Sequence, residues 1–253
     1  MSHFTQILPE WTDVIVTFVT LVAAYAIFGI AGFGGALISV PVLAHMLPLT
    51  AIVPLLALLD LTAAMINGFT LRAAVARDEL LRLVPLMIAG SIAGVILLVT
   101  LPQQLLIGTL GVFVVCYAVY GLLAKPRDDR LAPGWVWPLG LLGGLFSGMF
   151  GSGGFIYSIY LSRRLREKDA IRATQSTLIG LATFTRVVLF SIAGAYSDFM
   201  LLQLALAGIP ALLLGVYLGY RLTVGLSLQQ FLRVLHVFLL ATGCSLIWRV
   251  LAG

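Results

Sequence analysis

Gly29-Ile-Ala-Gly32-Phe-Gly34-Gly35-Ala-Leu-Ile-Ser39-Val-Pro41 is a glycine-rich stretch inside an apolar run that would otherwise form one continuous helix. A second such stretch, Gly148-Met-Phe-Gly151-Ser152-Gly153-Gly154-Phe-Ile-Tyr157-Ser158-Ile-Tyr160, lies in the second half of the chain. Paired interruptions of apolar helices at corresponding places in two halves are typical of substrate sites in membrane transporters. We therefore expect the rest of the chain to be organised around these two stretches.

The composition is that of a protein embedded in lipid. The chain of 253 residues is 61% hydrophobic and 10% charged, whereas an average soluble domain has about 25% charged residues. Apolar runs long enough to cross a bilayer recur along the whole length. The net charge of +5 comes from arginines in short loops, a pattern of cytoplasmic loops and not of nucleic-acid binding. We expect a multi-pass protein of the cell membrane, in bacteria the inner membrane, with the lipid bilayer as its partner and no nucleic-acid partner.

The two halves of the chain are related in sequence. A shift of 119 positions places the glycines and the serine of the first stretch on those of the second without a gap. The shared spacing, order and hydropathy predict a duplicated unit. We predict one repeat over residues 1–124, an inter-repeat loop at 125–133 and a second repeat over 134–253. Each repeat holds a broken hairpin and three spans: hairpin 11–47 with spans 51–71, 83–101 and 105–123, then hairpin 134–162 with spans 174–195, 199–220 and 230–250.

The basic residues indicate how the two halves are oriented. If each broken stretch crossed the membrane, the most basic loop, 163–172, would fall opposite the basic loops at 72–82 and 125–130. If each stretch enters and returns on the same side, each half has three full spans and the halves are inverted. All three loops then lie inside, as the positive-inside rule requires, and only Arg249 is out of place. We therefore predict an all-α polytopic membrane protein of two inverted-topology repeats, each with a glycine-broken re-entrant helical hairpin whose tip reaches the midplane.

The tips of the predicted hairpins have the features of a site for a small anion. A new half-helix begins near Gly35 and another near Gly154, and the first N–H groups of a helix lack partners within it. The helix dipole adds partial positive charge there, and glycine lets an oxyanion approach the backbone closely. Candidate substrate-binding residues are therefore Gly32, Phe33, Gly34, Gly35 and Ser39 in the first stretch, and Gly151, Ser152, Gly153, Gly154 and Ser158 in the second.

The same glycines have an alternative interpretation, in which they only allow helices to pack closely. For Gly140, Gly143 and Gly144, which precede the second break, we prefer this packing interpretation. Cys116 and Cys244 fall inside apolar spans, and we expect both to be small core residues.

Two charged residues lie in the middle of predicted spans. A central arginine costs about 2.5–3.5 kcal/mol or more, so Arg186 should face the bundle interior and have a partner. That partner is either the substrate anion, held by the guanidinium fork, or Asp60 in the other half. Asp60 is in turn either a carrier of a coupling proton or a structural partner of Arg186. Asn67, which the repeat alignment matches to Arg186, is a further candidate on the opposite approach to the same cavity.

The motif Gly32-Phe-Gly34-Gly35-Ala-Leu-Ile-Ser-Val-Pro41-Val-Leu43, with its echo at 151–154, resembles the TauE/SafE sulfite-exporter family of membrane permeases. The resemblance covers nearly the whole chain, including its length and duplicated plan. It departs at Tyr160, which stands where a proline would match Pro41 and leaves the geometry of the second arm open. The resemblance implies transport of small sulfur-containing or organic anions such as sulfite, sulfoacetate or other sulfonates.

Taken together, these features predict a secondary transporter that moves a small anion by alternating access, with Arg186 neutralising the anion and a coupling proton or cation left open. A passive anion channel is the alternative, and a membrane-embedded enzyme or assembly factor has weaker support. We expect no enzyme and no cofactor, because no His, Cys or carboxylate cluster in the sequence has the spacing of a metal site. The sequence leaves the identity of the anion, the direction of transport and the oligomeric state open.

Overall fold

Ten α-helices account for nearly all of the residues that the structure describes. The structure, a computed structural model, describes residues 11–31, 34–67, 75–123, 131–197, 199–222 and 228–252. Within these ranges there is no strand, and two short 3-10 turns, Pro133–Trp135 and Ala195–Ser197, complete the regular structure. The helices are α1 Trp11–Ala31, α2 Gly35–Leu43, α3 Leu49–Asn67, α4 Arg77–Thr100, α5 Gln103–Leu123, α6 Val136–Phe150, α7 Gly154–Arg164, α8 Lys168–Ile192, α9 Phe199–Leu222 and α10 Leu228–Ala252.

Six helices in the described part of the chain are long and apolar enough to cross a membrane, three after each glycine-broken stretch. Their candidate spans are Leu49–Ile66, Arg77–Thr100, Gln103–Leu123, Asp169–Ile192, Phe199–Gly219 and Leu235–Ala252. This confirms the predicted all-α polytopic membrane architecture. Helix α4 starts at Arg77, before the predicted span, and its first turn contains Glu79, which is buried and paired with Arg164.

The outer surface of the bundle is apolar. Large hydrophobic side chains such as Ile192, Leu206 and Trp248 are more than two-thirds exposed, as lipid-facing residues are. Cys116 and Cys244 are also exposed, so the expectation that they are core residues is wrong. In a helix that is apolar all round, the sequence carries no polar stripe to show which face packs inward.

Each glycine-broken stretch forms two helices. We call α1–α2 hairpin 1 and α6–α7 hairpin 2. Helix α6 ends at Gly151, whose φ of 71° is left-handed, and the Ser152 N–H donates to Phe146 O at 3.2 Å. Such a glycine-based C-cap terminates a helix. Helix α7 then runs back along α6. Two contacts show this: Gly143 faces the Tyr157 ring, and Gly153 faces the Gly143 carbonyl. This fold-back is what a re-entrant hairpin requires.

Hairpin 1 has unequal arms. Helix α1 has 21 residues, about 31 Å at 1.5 Å per residue, and is longer than a predicted half-helix. Helix α2 has 9 residues and begins after Gly34. The φ of Gly34 is 106°, a value that glycine adopts at little cost in free energy. The start of α2 packs on α1, because a Cβ on Gly35 would lie 3.3 Å from the Tyr25 ring.

Two pairs of glycines bring helices α4 and α6 into backbone contact. Helix α4 packs on α6 with Gly90 against Gly144 and Gly94 against Gly148. A Cβ on Gly94 would collide with the Leu145 carbonyl oxygen, so the two backbones touch, as in small-residue packing of membrane helices. The packing interpretation is confirmed for Gly140 and Gly144, which face α4, while Gly143 makes room for the Tyr157 ring.

Helices at corresponding positions of the two predicted repeats run antiparallel where they meet. In the α5–α10 pair, Gly108 faces Val250 and Gly111 faces Ile247, so the numbering rises in one helix as it falls in the other. Helices α3 and α8 meet at Asp60 and Arg186, and Pro54 O, earlier in α3, accepts from Tyr196 Oη just past the end of α8, so this pair is antiparallel as well. A two-fold axis in the membrane plane would produce this pattern. The division into two inverted repeats stays a proposal.

The far end of hairpin 2 is tied to the start of α4 by a polar cluster. Tyr160 Oη donates to Glu79 Oε2 at 2.6 Å, and Arg164 Nη2 donates to Glu79 Oε1 at 2.7 Å. Arg164 Nη1 also donates to the Leu131 carbonyl. We call Glu79, Tyr160 and Arg164 the inner cluster. It accounts for the tyrosine at the position that matches Pro41, because this phenol binds the buried carboxylate.

The far end of hairpin 1 is tied to α10. Arg249 Nη1 donates to Ala44 O, just past the end of α2, at 2.8 Å. His45 lies beside them, with Nε2 3.1 Å from Ser245 Oγ. The carbonyls at a helix C-terminus carry partial negative charge, which favours a cation there. Arg249 therefore has a structural role, which explains why it departs from the distribution of the other basic residues.

Candidate anion site at the hairpin tips

The tips of the two hairpins touch each other and helix α8. A Cβ on Gly151 would lie 2.6 Å from Ala36 Cβ, in the first turn of α2. The same Cβ would lie 2.5 Å from Arg186 Nη1. Only a residue without a side chain brings these three segments together, which gives Gly151 a second reason to be glycine besides its φ.

A small cavity of about 20 Å³ lies where the tips meet. This is room for about one water-sized molecule, so a larger anion needs the tips to move apart. The cavity takes side chains or backbone from both hairpins, α3 and α8. Its lining residues are Phe28, Gly34, Gly35, Ala36, Leu37, Asp60, Ser147, Gly151, Ser152, Gly154, Phe155, Tyr157, Ile179, Ala182, Thr183 and Arg186.

Two helix N-termini open onto this cavity. Helix α2 begins at Gly35 and α7 begins at Gly154, and both residues line the wall. The first helical hydrogen bonds are donated only further on, by Ile38 N–H to Gly34 O and by Ile156 N–H to Gly153 O. The earlier N–H groups and the helix dipoles therefore favour negative charge in the cavity.

Arg186 supplies a positive charge in the wall of the cavity. Its side chain is only 2% exposed, and Nη2 donates to Asp60 Oδ2 at 3.1 Å and to Thr183 Oγ1 at 3.2 Å. Its Nε and Nη1 have no hydrogen-bond partner among the described residues. A guanidinium group has five N–H donors in a fixed fork. Arg186 therefore has donors to spare after it has paired with Asp60.

Asp60 places a carboxylate at the N-terminus of α2. Its Oδ1 accepts a hydrogen bond from Tyr25 Oη at 3.0 Å, and a Cβ on Gly35 would lie 3.0 Å from the same oxygen. The carboxylate therefore lies between the start of α2 and the Arg186 guanidinium. This is the position that the helix dipole and the arginine would offer to a substrate anion.

The cavity brings together most of the residues that the sequence singles out at the tips. Gly34, Gly35, Gly151, Ser152 and Gly154 all line it, with Arg186 and Asp60. Ser152 is buried, and its Oγ donates to Phe150 O at 3.2 Å. Gly32 and Phe33 lie outside the described residues.

Gly153, Ser39 and Ser158 are not among the described residues of the cavity wall. Gly153 packs against Ser147 and the Gly143 carbonyl of α6. Ser39 is fully buried with no partner for Oγ in the described ranges, and Ser158 is half-buried. Asn67 is the last residue of α3, and its side chain lies outside the described part of the chain. The roles assigned to these residues stay predictions.

The match to known proteins decides the family. A family model described as "Sulfite exporter TauE/SafE" matches residues 16–246, which include both glycine-broken stretches. The chain belongs to the TauE/SafE sulfite exporter family. It is therefore a multi-pass membrane transporter and not an enzyme, and the tip cavity is the candidate site of a TauE/SafE transporter.

One relative of this TauE/SafE protein is "Probable inner membrane transporter protein TsaS" of Comamonas testosteroni. It is 29% identical over 199 residues, which cover 77% of this chain and 83% of that protein. The relative supports a multi-pass location in the cell membrane. No solved structure matches the chain.

Sequence reasoning missed three polar side chains in or beside the wall of this TauE/SafE site. Tyr25 binds Asp60, Thr183 binds Arg186, and Tyr157 lines the cavity from α7. A signal existed for Thr183, which lies one helical turn before Arg186 and so shares its face. Tyrosines within apolar helices look like core residues, and no pattern in the sequence distinguishes Tyr25 or Tyr157.

A larger groove of about 730 Å³ lies between α5 and hairpin 2. Among the described residues its lining is almost wholly apolar and includes no charged side chain, so it offers a small anion no ion pair. Phe155 lines both the groove and the tip cavity. Its ring packs edge-on against the Tyr117 ring, with 4.1 Å between the ring centroids. The aromatic side chain therefore separates the lipid-facing groove from the polar site of this TauE/SafE protein.

Proposed function

We propose that the protein is a secondary transporter of a small sulfur-containing or organic oxyanion, such as sulfite, sulfoacetate or another sulfonate, and that it works by alternating access. The observation that carries this proposal is the buried environment of the Arg186 guanidinium. The guanidinium is buried beside the tip at Gly151, and two of its nitrogens have no partner among the described residues, which is costly unless a ligand completes their hydrogen bonds. The family name and the tip amides favour an oxyanion as that ligand.

The bound anion would be held by donors of two kinds. Arg186 Nη1 and Nε offer charge-assisted hydrogen bonds from one side. The first N–H groups of α2 and α7 offer backbone donors and the positive ends of two helix dipoles from the other. Together they replace the hydration shell that the anion loses in the membrane.

The Asp60 carboxylate would compete with that anion. It already pairs with Arg186 and lies at the start of α2, so its negative charge occupies the favourable position. A proton on Asp60 would remove this competition and free Arg186 for the substrate. We infer that anion and proton enter the site together, which makes Asp60 the coupling residue.

A passive anion channel is the second candidate. The closed form of the cavity favours a carrier over a channel, because Arg186 is almost inaccessible and the tips leave room for about one water-sized molecule. In a carrier, one hairpin would rock against the helices of the other half and expose the site to one side at a time. The antiparallel pairs α3–α8 and α5–α10 support two inverted halves related by such a movement.

Flux measurements in proteoliposomes test this proposal. We expect saturable uptake of labelled sulfite or sulfoacetate by the native protein, and about a tenfold or greater loss in Arg186→Lys, which keeps the charge but loses the fork. The matched control is Arg221→Lys, at an exposed arginine near the end of α9. Undiminished flux in both Arg186→Lys and Arg186→Gln would remove Arg186 from the mechanism, and flux that does not saturate would indicate a channel.

A further inference from the structure

We propose that Tyr157 is a substrate-binding residue whose hydroxyl donates to a second oxygen of the anion that Arg186 holds. The proposal rests on the function proposed above and assigns the site a preference for anions with several oxygens. The ligand class is a sulfur oxyanion head, such as a sulfite or a sulfonate group, in preference to a monoatomic anion.

The hydroxyl of Tyr157 is buried without a partner. The residue is fully buried, and Oη has no hydrogen bond to any residue in the described ranges. A buried hydroxyl without an acceptor costs free energy, and such groups are uncommon in native proteins. Tyr157 Oη can therefore donate to an acceptor other than the residues that the structure describes.

The side chain lies on the wall of the tip cavity. Tyr157 and Arg186 line the same space, which is only about 20 Å³. An ion bound in this cavity would therefore lie beside both residues. Of the buried side-chain atoms without a partner in the described chain, Tyr157 Oη, Arg186 Nε and Arg186 Nη1 belong to residues of this wall. Three spare donors and no spare carboxylate oxygen indicate an acceptor-rich ligand.

A glycine in α6 leaves space for the Tyr157 ring. Tyr157 lies one turn past the tip on α7, and its ring rests against Gly143, where any Cβ would collide with it. The ring also packs with the cluster of Leu83, Met87 and Leu178 from the neighbouring helices. An ordered ring holds its hydroxyl in one place, as specific recognition of a ligand oxygen requires.

The arrangement predicts selectivity from simple geometry. A sulfonate or sulfite group presents three oxygens in different directions, so one can accept from Arg186 while another accepts from Tyr157. A chloride ion is a single acceptor atom, so it accepts from both residues only if their donors converge on one point. A site built to hydrogen-bond one group discriminates strongly against ligands that leave its buried donors unpaired.

Tyr157→Phe tests the proposal directly, because phenylalanine keeps the ring beside Gly143 and removes only the hydroxyl. We expect purified Tyr157→Phe to melt at the same temperature as the native protein or slightly higher in the absence of anion. We expect its affinity for sulfite and methanesulfonate, measured by calorimetry, to fall roughly tenfold, with little change for chloride. Tyr120→Phe, on the exposed face of α5, is the matched control and should change neither quantity.

Two results would overturn the assignment. Unchanged affinity for the sulfur oxyanions in Tyr157→Phe, with Arg186→Lys impaired, would dismiss Tyr157 and leave the proposed function standing. A lower melting temperature of Tyr157→Phe without anion would indicate a structural hydrogen bond instead of a ligand donor. If the native protein binds and transports none of these anions, the proposed function fails together with the role of Tyr157.

Discussion

Arg186 Nη2 lies 3.1 Å from Asp60 Oδ2, which joins helices α8 and α3 across 126 positions of sequence. Both side chains are buried, at 2% and 6% exposure. A buried pair of this kind is weak evidence for stability, because desolvation offsets much of the attraction. We propose a functional role for the pair instead, because two Arg186 nitrogens have no partner among the described residues and Asp60 lies at the start of α2, and the proposed coupling mechanism depends on it.

The pair predicts how anion binding depends on pH. Protonation of Asp60 frees Arg186, so we expect the affinity of the native protein for methanesulfonate to rise as the pH falls. A sulfonate is the right probe because its own charge does not change across a neutral-to-mildly-acidic series. In Asp60→Asn, which keeps an acceptor for Tyr25 and lacks the charge, we expect tight binding with little pH dependence. Calorimetry across the pH series measures both.

The control for this experiment is Asp78→Asn, which removes an exposed carboxylate near the start of α4. It should retain the native pH dependence. An Asp60→Asn protein whose affinity still rises on acidification by the native factor would exclude Asp60 as the coupling residue.

Gly151→Ala should block the site. The substitution puts a Cβ into a left-handed residue, which costs about 1–2 kcal/mol, and drives it against Arg186 Nη1 and Ala36 Cβ. Gly194→Ala is a matched control, since Gly194 also has a positive φ of 75° but its nearest neighbour is Ser197 Oγ at 3.8 Å. We expect transport to be lost in Gly151→Ala and kept in Gly194→Ala, with both monitored by flux and thermal unfolding. Equal activity of the two variants would argue against contact between the tips at the site.

The inner cluster should stabilise the closed position of hairpin 2. Glu79→Gln weakens the bonds from Tyr160 and Arg164, and leaving such buried donors poorly paired costs about 1–3 kcal/mol. We expect a lower melting temperature and faster labelling of a cysteine introduced at Ile179, which lines the tip cavity. Asp78→Asn, one residue earlier and exposed, serves again as the control. A labelling rate unaffected by Glu79→Gln would mean that the cluster does not restrain the hairpin.

The inverted arrangement of the two halves can be tested by labelling from either side of the membrane. Single cysteines at residues 47 and 167, in a background with Cys116 and Cys244 replaced by serine, should react with an impermeant reagent from opposite sides. The native cysteines must be removed because both are exposed. Reaction of both positions from the same side would reject the inverted model.

The sequence predicts the helices and the breaks because these depend on local properties. Apolar runs define the spans, and the spacing of Gly34, Gly35, Gly151 and Gly154 predicts where new helices begin. The positive φ values of Gly34 and Gly151 show why glycine is needed at those two positions.

The remaining features depend on packing between distant segments. Hydropathy marks Arg186 and Asp60 as unusual, but their pairing needs α3 and α8 to meet. Tyr25 and Tyr157 cannot be told from core aromatics until their neighbours are known. Arg249 departs from the charge pattern for a tertiary reason, its bond to the end of α2.

The central claim is that an anion binds between Arg186 and the two hairpin tips. Crystals of the protein grown with selenite, an analogue of sulfite with a strong anomalous signal, test this most directly. We predict an anomalous peak within hydrogen-bond distance of Arg186 Nη1 and close to the backbone of Gly35 and Gly154. A protein that transports selenite but shows its only anomalous peak away from these residues would contradict the account.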